Sequence, residues 1–394
     1  DLVKALELPV ILVVGLKLGC LNHARLTARA IAADGCRLQG WIGSTVEPGF
    51  PDAYVDLVRA ALPVPCLGVL PHAPGADPAM LAGHWVFRRE AVLAALNGVM
   101  GDRLAADNNP LAIRMALRRG GRPIDLSSPD ALQGVTGQLL LLVHGLCMND
   151  LQWERAGHDH GIHLAHERGY TPIHVHYNTG LHTSVNGREL AGRIEALLAA
   201  WPVPLQAFSV LAHSMGGLVV RAACHEGTEA GHRWPAQMQR MVFLGTPHHG
   251  APLERAGHWV DLLLGSTPFS RPFARLAQLR SAGITDLRYG HVRDTDWQGQ
   301  DRFRRRPDQR TPLPLPAGID CFAVAATLAP RRSRVADRLL GDGLVPLHSA
   351  LGQHADPART LAFPGPNQHL AFRTGHLDLL NDAGVARQLV QWLG

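Results

Sequence analysis

Short apolar runs bounded by glycine, proline and polar turns recur along the 394 residues of the chain. Pro9–Gly15 (PVILVVG), Gln39–Ile42 and Cys66–Leu70 have the length and the unbroken hydrophobicity of strands buried on both faces. Between them lie two helix-like stretches, Asn22–Ala33 with Leu26, Ala30 and Ala33 on one side, and AYVDLVRAAL. This alternation predicts a parallel sheet. His72–His84, rich in proline, alanine and glycine, reads as a linker. From Trp85 the character changes. Glu90–Leu104 has the pattern of an amphipathic helix, with Val92, Leu93, Leu96, Val99 and Met100 on one side, and MALRRGGRPIDL that of a hairpin turning at Gly120-Gly121. Further strands are expected at Gln138–Val143, Thr171–Tyr177, Met241–Gly245, Ile319–Ala326 and Thr360–Phe363, with a helix over Gly187–Ala200. The pattern therefore predicts an α/β protein: a partial α/β segment over 1–71, a linker over 72–84, and over 85–394 a mostly parallel sheet with helices on both faces.

Composition narrows the class. Hydrophobic residues make up 46% and charged residues 18%, which is a globular balance. No uninterrupted apolar run approaches the roughly 20 residues of a membrane span. Six cysteines are scattered without C-x-x-C spacing in mostly apolar surroundings, the pattern of buried thiols in a reducing compartment, and a cytoplasmic location is expected from it. The net charge of +5 comes largely from arginine at Arg302–Arg310 and at Arg331, Arg332 and Arg334. No nucleic-acid-binding motif accompanies these arginines, so a solvated surface is expected, with an anionic lipid interface as the other partner such a loop suits.

The chemistry concentrates at Phe208–Val219 (FSVLAHSMGGLV), where an apolar run breaks abruptly into Ala-His-Ser-Met-Gly-Gly and then resumes. A strand turning sharply into a helix, with Ser214 at the tip, has this form, and Ala212, Gly216 and Gly217 supply the small residues that such a turn requires. Ala212 stands where the G-x-S-x-G elbow usually has its first glycine. Upstream, Gln138–Val143 ends in His144-Gly145-Leu146, where a strand-end loop can offer the Leu146 amide to an oxyanion, with Met215, next to the serine, offering a second. His144, Gly145, His213 and Pro247 flank these loops and are candidate substrate contacts. For the orienting acid, Asp342 sits between Gly341 and Gly343 in a turn, whereas Asp320 precedes its strand and Asp337 lies in an arginine-rich helix. For the base, His369 and His376 both follow the strand expected at Thr360–Phe363. Twenty-two histidines raise the question of metal. His174 and His176 share a strand face and His158, His160 and His163 cluster in an expected loop, but no spacing assigns a third and fourth ligand, so neither a metal nor another cofactor is expected.

Two resemblances add to this reading. Residues 9–31, together with GWIG at 40–43 and PCLGVLP at 65–71, closely resemble the C-terminal third of dethiobiotin synthetase, an ATP-dependent carboxylase-ligase. That family's phosphate-binding Gly-rich Lys-Thr loop has no counterpart in the chain, and Ser44-Thr45 stand where the family has Asn, so the resemblance implies no synthetase activity from this segment. From about Leu139 onward, VHGLCMN, AHSMGG and above all LGTPHHGAPLERAG resemble bacterial lipases and esterases related to the PGAP1-like α/β-hydrolases. This implies an α/β-hydrolase fold over 85–394, a lid insertion over 253–316 in which WVDLLLG covers an acyl pocket, with an ordinary pair of packing helices as the alternative for that stretch, and a small acyl ester or lipid as substrate. It also implies His376 as the base, because the family's histidine precedes a Leu-Leu helix running to a terminal Trp-Leu. The expected machinery is then Ser214, Asp342 and His376. The competing expectations are a synthetase fragment and a non-catalytic interaction protein on a hydrolase scaffold.

Overall fold

The computed structural model describes residues 10–51, 53–70, 72, 78–128, 130–251, 280–301, 308–330 and 341–394, with side chains over 78–89 excepted. The chain divides into two compact units, Asp1–Arg88 and Arg89–Gly394. The linker expected over 72–84 falls largely outside the described side chains, as do Asp337, Arg331, Arg332, Arg334 and the WVDLLLG stretch.

In the first unit the strands β1 (Val10–Leu16), β2 (Leu38–Thr45) and β3 (Cys66–Leu70) form a parallel sheet in the order β1-β2-β3. Helices α1 (Cys20–Ala33) and α2 (Ala53–Ala61) pack together over one face, where Val14, Leu16, Ala24, Ala28, Val55 and Val58 enclose a fully buried Trp41. On the opposite face Ile11 and Val13 are exposed.

In the second unit, the part of helix α3 (Pro78–Ala106) from Arg89 onward leads into the hairpin β4 (Ala116–Arg119) and β5 (Arg122–Pro123), turned by Gly120 and Gly121 at positive φ. The remaining strands are β6 (Gln138–Val143), β7 (Thr171–His176), β8 (Ala207–His213), β9 (Arg240–Leu244), β10 (Asp320–Thr327) and β11 (Gln368–Phe372). They form one sheet in the order β11-β10-β9-β8-β6-β7-β4-β5, parallel from β7 to β11 with β4 antiparallel to β7. With helices α4 (His160–Arg168), α5 (Thr183–Ala199), α6 (Met215–Glu229), α7 (Ala282–Tyr289) and α8 (Ala383–Trp392), this is the α/β-hydrolase fold. Leu139 to Leu142 and Val143 have no exposed surface, as a central parallel strand requires. From β6 the chain steps outward to β7, then crosses back through α5 to β8 on the other side. The strand order therefore reverses between β6 and β8, and the carboxyl ends of the strands at such a reversal are the usual place for a ligand in these sheets.

Two expectations change. Thr360–Phe363 is not a strand; the last strand is Gln368–Phe372, whose residues pair with Ala323–Thr327 of β10, so His369 lies within the sheet. In α3 the buried positions from Glu90 on are Ala91, Ala94, Ala95, Asn97, Gly98, Val99, Gly101 and Leu104, most of them small, whereas Val92, Leu93, Leu96 and Met100 are only partly buried. The reason is distance: α3 runs so close to neighbouring loops that a side-chain carbon at Gly98 would stand 3.0 Å from the Cys147 backbone. Large side chains would hold it away, so small residues take the inner face. The same rule governs α5 and α6, where a carbon added at Gly187 would stand 2.8 Å from the Ala222 carbonyl carbon. Gly187→Val should therefore destabilise the unit by about 1–3 kcal/mol through overpacking. Scanning calorimetry should read this as a fall of roughly 2–4 °C per kcal/mol, and an unchanged midpoint would refute the close packing.

Candidate active site

Ser214 joins β8 to α6 with φ 55° and ψ −124°, a conformation that costs a non-glycine residue about 1–3 kcal/mol. The turn is held by Ser214 N–H donating to the Leu244 carbonyl at 2.8 Å and by Gly217 N–H donating to the Ser214 carbonyl at 3.1 Å. Its glycines are spatial requirements. A side chain at Gly216 would strike the carbonyls of Val143 and His144, and one at Gly217 would strike Thr246. Met215 opens α6, where the first amides have no acceptor within the helix.

The loop after β6 lies against this turn. A carbon added at Gly145 would be 2.9 Å from Ser214 Cβ and 3.4 Å from its Oγ, so only glycine lets the backbone approach the hydroxyl. The loop is pinned at three points: the Tyr177 hydroxyl donates to the His144 carbonyl at 2.7 Å, Met148 N–H to the Gly145 carbonyl at 3.3 Å, and Cys147 N–H to Thr179 Oγ1 at 3.1 Å. Cys147 itself has φ 60°, which aims the chain back from Leu146.

Asp342 and His376 come together on the other side. His376 Nδ1 is 2.7 Å from Asp342 Oδ2, and His376 N–H donates to the Asp342 carbonyl at 3.0 Å. The second carboxylate oxygen, Oδ1, accepts from the amides of Leu344 at 2.9 Å and Val345 at 2.7 Å. Gly341 and Gly343, at φ 47° and 93°, form the tight turn that presents it. Asp342 is 2% exposed and His376 not at all. Burial strengthens such a charge-assisted bond and makes loss of either partner costly. His369, by contrast, sits in β11 with its ring edge-on to Trp392 at 6.4 Å.

Gly245 is a site residue that the sequence reading passed over. It follows β9 at φ 59°, and a carbon added there would be 3.2 Å from both Cε1 and Nδ1 of His376, so the glycine of GTPHHG makes room for the imidazole. Pro247, two residues on, is buried in the same loop. The signal was present in the motif but lacked a spatial partner.

The rings of His144 and His213, expected to touch substrate, are committed to the protein. His144 stacks on Tyr177 at 4.5 Å, its Nδ1 lies 3.0 Å from the Gly145 carbonyl, and burial pushes its pKa down to about 3. His213 Nε2 meets the His376 carbonyl at 3.2 Å, and burial, then the neighbouring His376, holds it well below the usual range. His158 precedes α4, while His160 and His163 lie within it rather than in a loop; His158 Nε2 and His160 Nδ1 are 2.9 Å apart. His176 stands 3.1 Å from Asp150, which Arg118 also contacts at 3.0 Å. Among the described residues no group of three His, Cys, Asp or Glu is placed to hold a metal ion, and no helix is long and apolar enough to cross a membrane. Much of the insertion expected over 253–316 lies outside the described residues; α7, within it, packs closely enough that a carbon at Gly283 would be 3.0 Å from Met215 Cε.

Comparison with known proteins gives two separate results. Residues 120–287 match a family described as a domain of unknown function, DUF7379, and residues 1–79 match an AAA domain family. The ATP-dependent dethiobiotin synthetase of Xanthomonas euvesicatoria is 52% identical over 84 residues, covering 21% of this chain and 38% of that protein. That of Xylella fastidiosa is 56% identical over 84 residues, covering 21% and 37%. The chain thus spans under two fifths of the length of these relatives. Among solved structures, the type II thioesterase BorB aligns at 14% identity and a TM-score of 0.37 over 71% of this chain and 98% of that one. An esterase from Pyrococcus furiosus aligns at 16% identity and 0.35 over 66% and 84%.

The buried histidines set a pH dependence. His144 and His160 are fully buried, and desolvation, partly offset by a backbone hydrogen bond in each case, takes them from an ordinary 6.5 to about 3 and about 4. Below pH 6.5 the unfolded chain binds protons that the folded chain refuses, so stability falls as pH drops through that value and levels off only below the folded values. At pH 5 each ring costs roughly 2 kcal/mol. Calorimetric midpoints at pH 7.5, 6 and 5 should descend in that order, and a midpoint that rises on acidification would contradict the neutral, buried assignment.

Proposed function

We propose that residues 89–394 hydrolyse carboxylic esters through a covalent acyl-enzyme on Ser214. The observation that carries this reading is the buried 2.7 Å bond between His376 Nδ1 and Asp342 Oδ2, at the strand ends where Ser214 occupies its strained turn. A carboxylate on Nδ1 fixes the tautomer that leaves Nε2 as the proton acceptor and stabilises the imidazolium that forms.

In the proposed reaction His376 Nε2 takes the Ser214 hydroxyl proton as Oγ bonds to the ester carbonyl carbon. The carbonyl electron pair moves onto oxygen, where the amides of Leu146 and Met215 donate to it. The tetrahedral species collapses, the C–O bond to the alcohol breaks, and His376 returns the proton to the departing oxygen. Water, deprotonated by the same ring, then attacks the acyl carbon and frees Ser214 with the carboxylic acid. Each oxyanion donor is worth about 10² to 10³ in rate. A small acyl ester or a lipid is the proposed substrate, with Gly145 and Pro247 beside it.

A second reading concerns the first unit alone. Its 52% identity to dethiobiotin synthetase over 84 residues favours an ATP-linked role, but the phosphate-binding loop that such a reaction needs is missing from the sequence. A calorimetric titration of the full chain with ATP and magnesium is expected to give no binding isotherm; saturable binding would revive the synthetase reading.

The test of the hydrolase is a panel of p-nitrophenyl esters of increasing acyl length. The wild-type chain should turn over at least one ester, and Ser214→Ala should lower kcat by about 10⁶ if the three side chains act as a unit. Retention of most activity by Ser214→Ala would remove the proposal.

A further inference from the structure

We propose that His213 is a positioning residue for His376: it ties the backbone of the catalytic base to the peptide unit that carries the nucleophile. This rests on the assignment of Ser214 and His376 in the proposed reaction. His213 precedes Ser214 directly, and its Nε2 meets the His376 carbonyl oxygen at 3.2 Å. A carbonyl only accepts, so the proton of His213 is on Nε2, and the opposite nitrogen, Nδ1, is a buried acceptor without a hydrogen-bond partner among the described residues.

Leaving that nitrogen unsatisfied is expensive, of the order of 1–3 kcal/mol, and an apolar side chain would fill the space without that cost. The ring's surroundings show what the histidine does instead. It is fully buried, 4.8 Å from the His376 ring and 6.4 Å from Trp153, and Gly145 is so near that an added carbon would be 3.2 Å from Nδ1. It therefore touches the loop beside Ser214, the chain of the base and the elbow at once. The charged and titratable groups acting on it are His376, His144 and Arg155, and Asp342 faces His376 from the far side. Held neutral there, His213 donates its hydrogen bond without placing a second positive charge against the imidazolium that forms during turnover.

His376 has two backbone restraints in this arrangement. Its N–H is held by the Asp342 carbonyl at 3.0 Å and its C=O by His213 at 3.2 Å. The first orients the ring towards its carboxylate and the second registers it against Ser214. Only the second connects the base to the nucleophile's own strand.

The experiment compares His213→Leu, which removes the donor, with His213→Gln, whose amide nitrogen takes nearly the place of Nε2. Active sites are counted by the end-point stoichiometry of a fluorophosphonate on Ser214, so that turnover is expressed per functional site. For His213→Leu we expect kcat per site to fall about 10²-fold, the loss that a displacement of about 1 Å produces, with KM within twofold of wild type. His213→Gln should restore most of the lost kcat per site. A merely structural role would lower the number of sites that react with fluorophosphonate and the melting temperature while leaving kcat per site unmoved, and that result overturns the proposal, as does a His213→Gln variant no better than His213→Leu. A wild-type chain that takes up no fluorophosphonate on Ser214 fails the reading of Ser214 itself, whereas normal wild-type labelling with a His213→Leu enzyme equal to it in kcat per site fails the positioning role alone.

Discussion

The second unit depends on one constraint: a serine held at φ 55° where β8 becomes α6. That backbone cannot persist on its own energy, and the chain around it is shaped to impose it. Val143, at the end of β6, and Leu244, at the end of β9, flank the turn on either side, and Thr246 closes it from below. Three close approaches around the turn require a glycine: Gly145 of the β6 loop against Ser214, Gly216 against the Val143 and His144 carbonyls, and Gly217 against Thr246. The sheet core, with five consecutive β6 residues fully buried, supplies the rigidity against which the strain is held.

Around that turn the polar groups are placed where water is excluded, which makes each hydrogen bond count for more and each missing one cost more. Asp342 illustrates the balance. Its carboxylate accepts two amides and one imidazole, so the charge is satisfied by donors fixed in the loop rather than by a mobile cation. Buried histidines elsewhere solve the same problem by staying neutral: His144 against Tyr177, His160 on the Leu379 carbonyl, His213 on the His376 carbonyl. The 22 histidines of the chain raise the question of metal, and these three rings are instead engaged with carbonyls and an aromatic face in the interior.

The parts visible in the sequence were those with local signatures. The leucine run of β6, the hairpin at Gly120-Gly121 and the Ala-His-Ser-Met-Gly-Gly turn are set by neighbouring residues, and strand boundaries there agree with the pattern to within a residue. Where the controlling contact is distant, the pattern misleads. Thr360–Phe363 is as apolar as a strand, but NQHLAF takes the place beside β10. The inner face of α3 is its small-residue face because Cys147 and Asn178 press against Gly98 and Gly101, which no periodicity reveals. Gly245 is the same case at the site: its reason for being glycine is a ring 131 positions along the chain, at His376.

The most direct measurement of the central claim is mapping by mass spectrometry of the adduct formed with a fluorophosphonate, which reports whether a serine is nucleophilic without assuming a substrate. The account predicts one adduct per chain, on the peptide containing Ser214, formed far more slowly when Asp342 is replaced by Asn. No adduct, an adduct on another serine, or labelling of Ser214 at an undiminished rate in Asp342→Asn would contradict it.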